Sequence, residues 1–526
     1  MPTITGTAGD DVLTGAVGTN TLRGLAGNDT LRGHDSADIL DGGTGADHMT
    51  GYWGEDIYYV DDVGDVVVDG EGNEVRTTLA SYFLPEYITT LTGLLTTGQI
   101  LGGNYHDNVI VGGAGNDTLR GGSGYDRLEG GGGNDSYMIG EDDSNDQIVE
   151  QAGGGIDTVY IESRFYTMGE HVEIAIALSE QAFITGNASA NTITGTAGWD
   201  ELDGGAGADT LSGGRGRDWY IVDDVNDVVI EEAGVNGDGD DTVTTSLSYY
   251  KVPVGIETLF GTAATQTLVG DDGDNWLNSM GGGDTLIGGK GDDYYIVEAG
   301  DKIVEHEGEG VDWVRSEEAV FTLAANFENL QGTNFYAGQT LNGNDVNNVI
   351  IGSFDDDILN GGKGADRMAG FHGNDIFYVD NEGDTIEETY PGTDEARTTL
   401  DAYQIPGGVE LLTGLLDTGQ ALTGNIQENV IVAGAGNDII DGGSNSDRMT
   451  GGAGNDIYYV DHNFDVVVEA AGGGSDEVRT AIRYHVLAAD VERLVGLGND
   501  DQKLGGNAGA NYIDGGLGID ILTGGA

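Results

Sequence analysis

Aspartate returns at nine-residue steps in a series of runs along this chain. The register runs through Asp11, Asp29, Asp38, Asp47 and Asp56, returns at Asp117, Asp126 and Asp135, and again at Asp200, Asp209 and Asp218. It resumes at Asp284 and Asp293, at Asp357, Asp366 and Asp375, at Asp438, Asp447 and Asp456, and at Asp520. If stacking brings these carboxylates within a few ångströms of one another, their repulsion is strong unless a cation sits between them. Gly fills most positions before each Asp, so backbone carbonyls lie close at hand. Carboxylate plus carbonyl is the flexible all-oxygen ligand set that Ca²⁺ takes, whereas Mg²⁺ prefers a tighter octahedron that keeps several waters. Zn²⁺ does not fit, because Cys is absent and the eight His (His34, His48, His106, His171, His306, His372, His462 and His485) show no paired spacing. Calcium is the expected cofactor, with many ions per chain.

Positioning such a column takes a repeated element. Residues 112–138 read GGAGNDTLR, GGSGYDRLE and GGGGNDSYM: six Gly-rich residues, then a polar–apolar–polar triplet. This is a tight turn followed by a very short strand whose middle side chain points inward, with Gly admitting the close backbone approaches. The apolar residue falls two after the marker, at Leu13, Leu22, Leu31, Leu40, Met49 and Tyr58 in the first run and at Leu119, Leu128 and Tyr137 in the second. One nine cannot bury its single apolar side chain, but stacked copies bury a continuous row and pair their strands in parallel. The fold expected is all-β, a parallel β-roll or β-solenoid. The 95 Gly and formal charge of -72 in 526 residues would alone suit a disordered chain, but disorder gives no reason to keep a phase, and 38% of the residues are apolar.

These nines resemble the G-G-x-G-x-D-x-(apolar)-x repeats of the RTX (repeats-in-toxin, haemolysin-type) calcium-binding family. The resemblance implies Ca²⁺ held by the Asp carboxylate and turn carbonyls and shared between successive turns on one side of the roll. On GGAGNDTLR it makes Asp117 a ligand, Gly113 and Gly115 turn residues presenting carbonyls, and Leu119 core. It also implies type I secretion from a bacterium, unfolded on exit and folded outside. Asn stands in the marker position at Asn20, Asn108, Asn191, Asn275, Asn348, Asn429 and Asn511, all but Asn20 opening a run, so weak sites or caps are expected there.

A longer repeat lies over the nines. GEDIYYV, GNDSYMI, GRDWYIV, GDDYYIV, GNDIFYV and GNDIYYV close successive runs about eighty residues apart. Nonapeptide rolls are expected at 1–60, 108–140, 191–222, 275–297, 348–379, 429–460 and 511–526. Strand-patterned inserts separate them at 61–107, 141–190, 223–274, 298–347, 380–428 and 461–510. Their recurring segments include a D-x-[VI]-like start (Asp65, Asp146, Asp227, Asp301, Asp384, Asp465), then GIDTVY, GDDTVT, GVDWVR and GSDEVR. The inserts are read as wider coils, or small sheets, that continue the stack, with beads on linkers as the alternative. Phe83, Leu84, Tyr87 and Tyr403 are assigned to insert packing. Glutamates recur at Glu173, Glu257, Glu328, Glu410 and Glu492, but Thr89 replaces them in the first copy, which argues against catalysis.

No H-E-x-x-H and no G-x-S-x-G occurs, and the repeats leave no long unlike stretch for a catalytic domain. The chain is therefore expected not to be an enzyme. Its acidity excludes nucleic acid and anionic membrane as partners, and no apolar run is long enough to span a bilayer. The opening MPTITGTAGDD has neither basic leader nor apolar segment, so no cleaved signal peptide is expected; GGLGIDILTGGA stops partway into another nine, which leaves the export route open. The expected role is that of an extracellular structural or surface protein of surface-layer, matrix or adhesin type, partnered by calcium, with cell-surface polysaccharide or self-association as further candidates. The alternative is the repeat region of a larger secreted enzyme: protease, lipase, epimerase or glycan hydrolase.

Overall fold

The computed structural model describes residues 1–70, 72–141, 145–231, 239–334 and 336–525. Residues 142–144 and 232–238, which fall in the expected inserts 141–190 and 223–274, lie outside the described residues, as do residues 71, 335 and 526. No helix occurs among the described residues. The chain forms two compact units, Met1–Ala263 and Ala264–Ala526.

Each unit is a parallel β-solenoid, and its logic follows from the nines. Strand Thr3–Thr5 pairs with Thr21–Ala26, which pairs with Ile39–Thr44. The intervening nines build the other sheet, Val12–Thr14 with Thr30–Arg32 with His48–Thr50. Two nines therefore make one coil, and residues eighteen apart sit in register, as in Leu22↔Leu40 and Leu13↔Leu31. The central residue of each triplet points inward: Leu22, Leu31, Leu40, Met49 and Tyr58 are fully buried, as are Leu119, Leu128 and Tyr137.

The inserts keep this ladder on one face and break it on the other. In the first copy Ile57–Val60 pairs with Glu74–Thr77, which pairs with Thr90–Gly93, which pairs with Val109–Ala114. Across the coil the sheet ends at Val66–Val67, and a new one starts at Ser81–Phe83. The same break follows Gln147–Val149 and Val228–Val229 in the first unit, and Lys302–Val304, Thr385–Ile386 and Val466–Val468 in the second. Insert residues thus form wide coils of the stack within each unit. Leu84 is buried there as expected, whereas Phe83 and Tyr87 are exposed. Phe83 belongs to a strand that opens a sheet, where alternation turns it outward.

Coil-on-coil contact is closest at the turns. A Cβ on Gly454, whose φ is 144°, would overlap the carbonyl oxygen of Gly436 one coil away, while a Cβ on Gly9 would meet nothing within 4 Å. Gly454→Ala is therefore expected to destabilise the calcium-loaded protein by about 1–3 kcal/mol, the scale of local backbone strain, and Gly9→Ala to leave it unchanged, as read from thermal unfolding midpoints.

Candidate metal centres

The markers form ladders through one carboxylate oxygen. Asp11 donates its N–H to Asp29 Oδ1 at 2.6 Å, and Asp29 donates to Asp47 Oδ1 at 2.7 Å. On the opposite side Asn20 donates to Asp38 and Asp38 to Asp56, both at 2.6 Å. Oδ1 of every other predicted site residue likewise accepts an N–H from the preceding coil. In the second run these are Asp117, Asp126 and Asp135, and in the third Asp200, Asp209 and Asp218. In the second unit they are Asp284, Asp293, Asp357, Asp366, Asp375, Asp438, Asp447, Asp456 and Asp520.

The other oxygen divides the set. In Asp29, Asp47, Asp56, Asp117, Asp135, Asp209, Asp284, Asp293, Asp366, Asp375, Asp438, Asp447 and Asp456, Oδ2 is buried with no hydrogen-bond partner. The second residue of several of these nines has φ in the left-handed region, as at Gly113 (106°), Leu25 (85°) and Tyr52 (74°). Asp11, Asp38, Asp200 and Asp357 differ, since Oδ2 accepts the N–H of Thr7, His34, Thr196 or Ser353, the non-Gly second residue of the same nine, at 2.5–2.8 Å. Asp520 is only half-buried.

A bare buried carboxylate oxygen is costly unless paired, and the space beside it is shaped for a small hard cation. The position a Cβ would take on Gly112 lies 2.5 Å from Asp117 Oδ2 and 2.8 Å from the Gly130 carbonyl oxygen, so Gly keeps open a gap flanked by both oxygen types. This donor set fits Ca²⁺. The motif Asp and the turn carbonyls would hold the ion, which would supply the positive charge the turns lack.

Without a cation, burial drives these carboxyls towards their neutral form. It pushes Asp47, Asp209, Asp366 and Asp447 up to about 6, Asp56 to about 7, and Asp293 and Asp375 to about 8, with neighbouring carboxylates adding to the rise.

Asn resolves the same position differently. Asn191 Nδ2 donates to the Val172 carbonyl at 2.9 Å and Asn348 Nδ2 to that of Phe327 at 2.8 Å, while each amide oxygen accepts the N–H of the residue four before, Asn187 or Asn344. Asn108, Asn429 and Asn511 repeat the arrangement, and Asn20 donates to the carbonyls of Ala16 and Gly18. The amide brings a donor where Asp leaves an oxygen bare, and the N–H of Asn108, Asn191, Asn348 and Asn429 still donates to the Asp of the next coil.

The ladders also recruit insert residues that sequence reasoning did not assign. Asp65, Asp146, Asp227, Asp301, Asp384 and Asp465 accept the N–H of the marker Asp a coil before, and so do Asn73, Asp157, Asp241, Asp312, Asp394 and Asp476. The signal was present, since each of these Asp residues in GIDTVY-like or D-x-[VI] segments has an apolar residue two places on, as in the nines. The recurring glutamates are positioning groups: Glu173, Glu257, Glu328, Glu410 and Glu492 each accept the N–H of the insert Asp at 2.8–3.1 Å.

A sequence model of the RTX calcium-binding nonapeptide repeat matches residues 3–31, 32–67, 102–137, 183–229, 260–301, 339–368, 351–386, 423–458 and 505–526, together more than half of the chain. The chain belongs to the RTX calcium-binding repeat family. A stretch of 96 residues is 41% identical to the endo-1,3-1,4-beta-glycanase ExsH of Rhizobium meliloti (strain 1021), covering 18% of this chain and 18% of that protein. RTX repeats therefore account for the ladders, and the inserts between matched segments carry the same geometry forward.

The raised carboxyls set a pH response. A group whose folded pKa lies above its unfolded value of about 4 stabilises the fold fully below that value and progressively less as pH rises through the folded one. In chelator, the chain is expected to gain β structure as pH falls from 8 to 5, with the change centred near 6 to 8. Excess calcium should hold the β signal constant across that range in circular dichroism.

Proposed function

We propose that this chain is a secreted calcium-binding repeat protein that folds on binding Ca²⁺ outside the cell and serves as a structural or surface protein of surface-layer, matrix or adhesin type. The observation that carries this is the succession of buried carboxylate oxygens without partners, present in every run but the last. With 92 acidic against 20 basic residues, the protein's own cations are too few to satisfy them. Binding free energy then becomes folding free energy. Extracellular calcium modules have Kd values of about 10⁻⁴ to 10⁻³ M, so external calcium fills such sites and cytosolic calcium does not. A site at a hundred times its Kd contributes about 2.7 kcal/mol, and coupled sites add up along the stack. Among the described residues no helix is long and apolar enough to cross a membrane.

The alternative is that the chain is the calcium-binding region of a larger secreted enzyme, the reading favoured by the partial likeness to the Rhizobium meliloti glycanase. A β-solenoid of this kind is a scaffold, and no motif for nucleophilic or metalloprotease chemistry lies in it. A reading frame that continues beyond this chain, or an intact native mass above 54.6 kDa, would decide for that alternative.

Titrating calcium into the chelated chain at pH 7.5 is expected to convert a coil spectrum into a β spectrum over roughly 10⁻⁴ to 10⁻³ M. A full β signal in chelator at that pH would contradict calcium-driven folding.

A further inference from the structure

At five of the six points where a run of nines gives way to an insert, three carboxylates converge. Asp135, Glu150 and Asp157 bring one oxygen each to within 4.8 Å of one another, as do Asp218, Glu231 and Asp241; Asp293, Glu305 and Asp312; Asp375, Glu388 and Asp394; and Asp456, Glu469 and Asp476. Only the first member of each belongs to the nonapeptide motif.

The group at Asp293, in the fourth copy of the long repeat, shows how the site is built. Asp293 and Asp312 are each 1% exposed, and Oδ1 of each is committed, to the N–H of Asn275 at 2.8 Å and of Asp293 at 2.9 Å. Their Oδ2 atoms are left for the cluster, buried and without partners. Glu305 is fixed from outside, because Tyr295 donates its hydroxyl to Oε2 at 2.8 Å and itself accepts the Gly288 N–H at 2.7 Å. Glu328 holds the Asp312 backbone by accepting its N–H at 2.9 Å. Among the described ion pairs no Lys or Arg reaches this group.

The sixth copy repeats the plan. Asp456 and Asp476 again have bare buried Oδ2 atoms, Tyr458 donates to Glu469, and Glu492 accepts the Asp476 N–H. In the fifth copy Phe377 stands where the Tyr would be, and Glu388 instead accepts the Gly370 N–H at 2.8 Å, leaving Oε2 bare. In the first copy the charge is reduced: Asp56 faces Asp69, held by Tyr58, but the third place is Asn73, whose amide donates to the Gly70 carbonyl at 2.6 Å.

We propose that the five triads are a second class of calcium site, distinct from the turn sites, in which a motif Asp is completed by a Glu and an Asp of the insert. Three carboxylates around one ion give a higher ligand charge than one or two carboxylates and carbonyls, and affinity for Ca²⁺ rises with ligand charge count. The triads therefore fill first, one at each of the five later junctions of run and insert, and pin the wide coil on which the next run is laid down. The proposal rests on the calcium-binding reading above.

Equilibrium dialysis of the full chain against calcium alone, with elemental analysis of bound ion, tests it. The wild type is expected to show a tight class of five ions and a weaker, larger class. Glu305→Gln with Asp312→Asn, which keeps the hydrogen-bond acceptors, should remove one tight ion, weakening that site at least about tenfold while the weaker class stays. Asn73→Asp with Asp69→Glu should add one tight ion, and it keeps the test decisive should the first variant fold poorly. Tight binding unchanged in both variants, or one uniform class of sites, would overturn the triad proposal while leaving the calcium reading intact. No bound calcium in the wild type would instead overturn the calcium reading itself.

Discussion

Each motif carboxylate after Asp11 has one oxygen bound to the backbone of the preceding coil and, in most of them, a second oxygen buried with nothing to neutralise it. The first contact fixes the stacking register, and the second makes that register unfavourable on its own. Two carboxylates about 5 Å apart repel by about 3 kcal/mol at an effective dielectric constant of 20. The stack therefore depends on a cation or on protons, and the net charge of -72 works in the same direction over the whole chain. Hydrophobic burial cannot replace this term, because a nine contributes only one inward apolar side chain while it must order six Gly-rich residues.

That balance explains the departures from the motif. Asn opens runs because an amide satisfies the same cradle without an ion, as Asn191 and Asn348 do. A second residue that lends its N–H to the marker, such as Thr196 or Ser353, relieves the carboxylate locally. The inserts change the length of one side of the coil but retain the hydrogen bond from each marker to the coil before, so a copy of about eighty residues can carry interrupted nines without losing phase. Each sheet break, at Val66–Val67 and its counterparts, interrupts one face at a time, and the ladder on the other face carries the register across.

Most of the fold was legible because its period is local. Turn, inward residue and marker all lie within nine residues, and Leu119, Leu128 and Tyr137 fall in the core where the spacing put them. The candidate ligands were legible as a column for the same reason. The difference between Asp117 and Asp200 was harder to see, since it hangs on whether the second residue of the nine turns its N–H towards the carboxylate, a matter of backbone conformation. Asp157, Asp312 and Asp476 were missed because the inserts shift them off the nine-residue phase, and only pairing across coils of unequal length shows that they continue the ladder. The recurring glutamates could be recognised as a pattern, but their hydrogen bonds to the insert Asp N–H groups are contacts between residues sixteen apart.

Crystals grown in calcium, with diffraction data at a wavelength where calcium scatters anomalously, test the central claim most directly. The account predicts anomalous peaks at about 2.3–2.6 Å from the bare Oδ2 atoms of residues such as Asp117, Asp293 and Asp447. An intact solenoid in millimolar calcium at neutral pH, with no such peaks along either ladder, would contradict it.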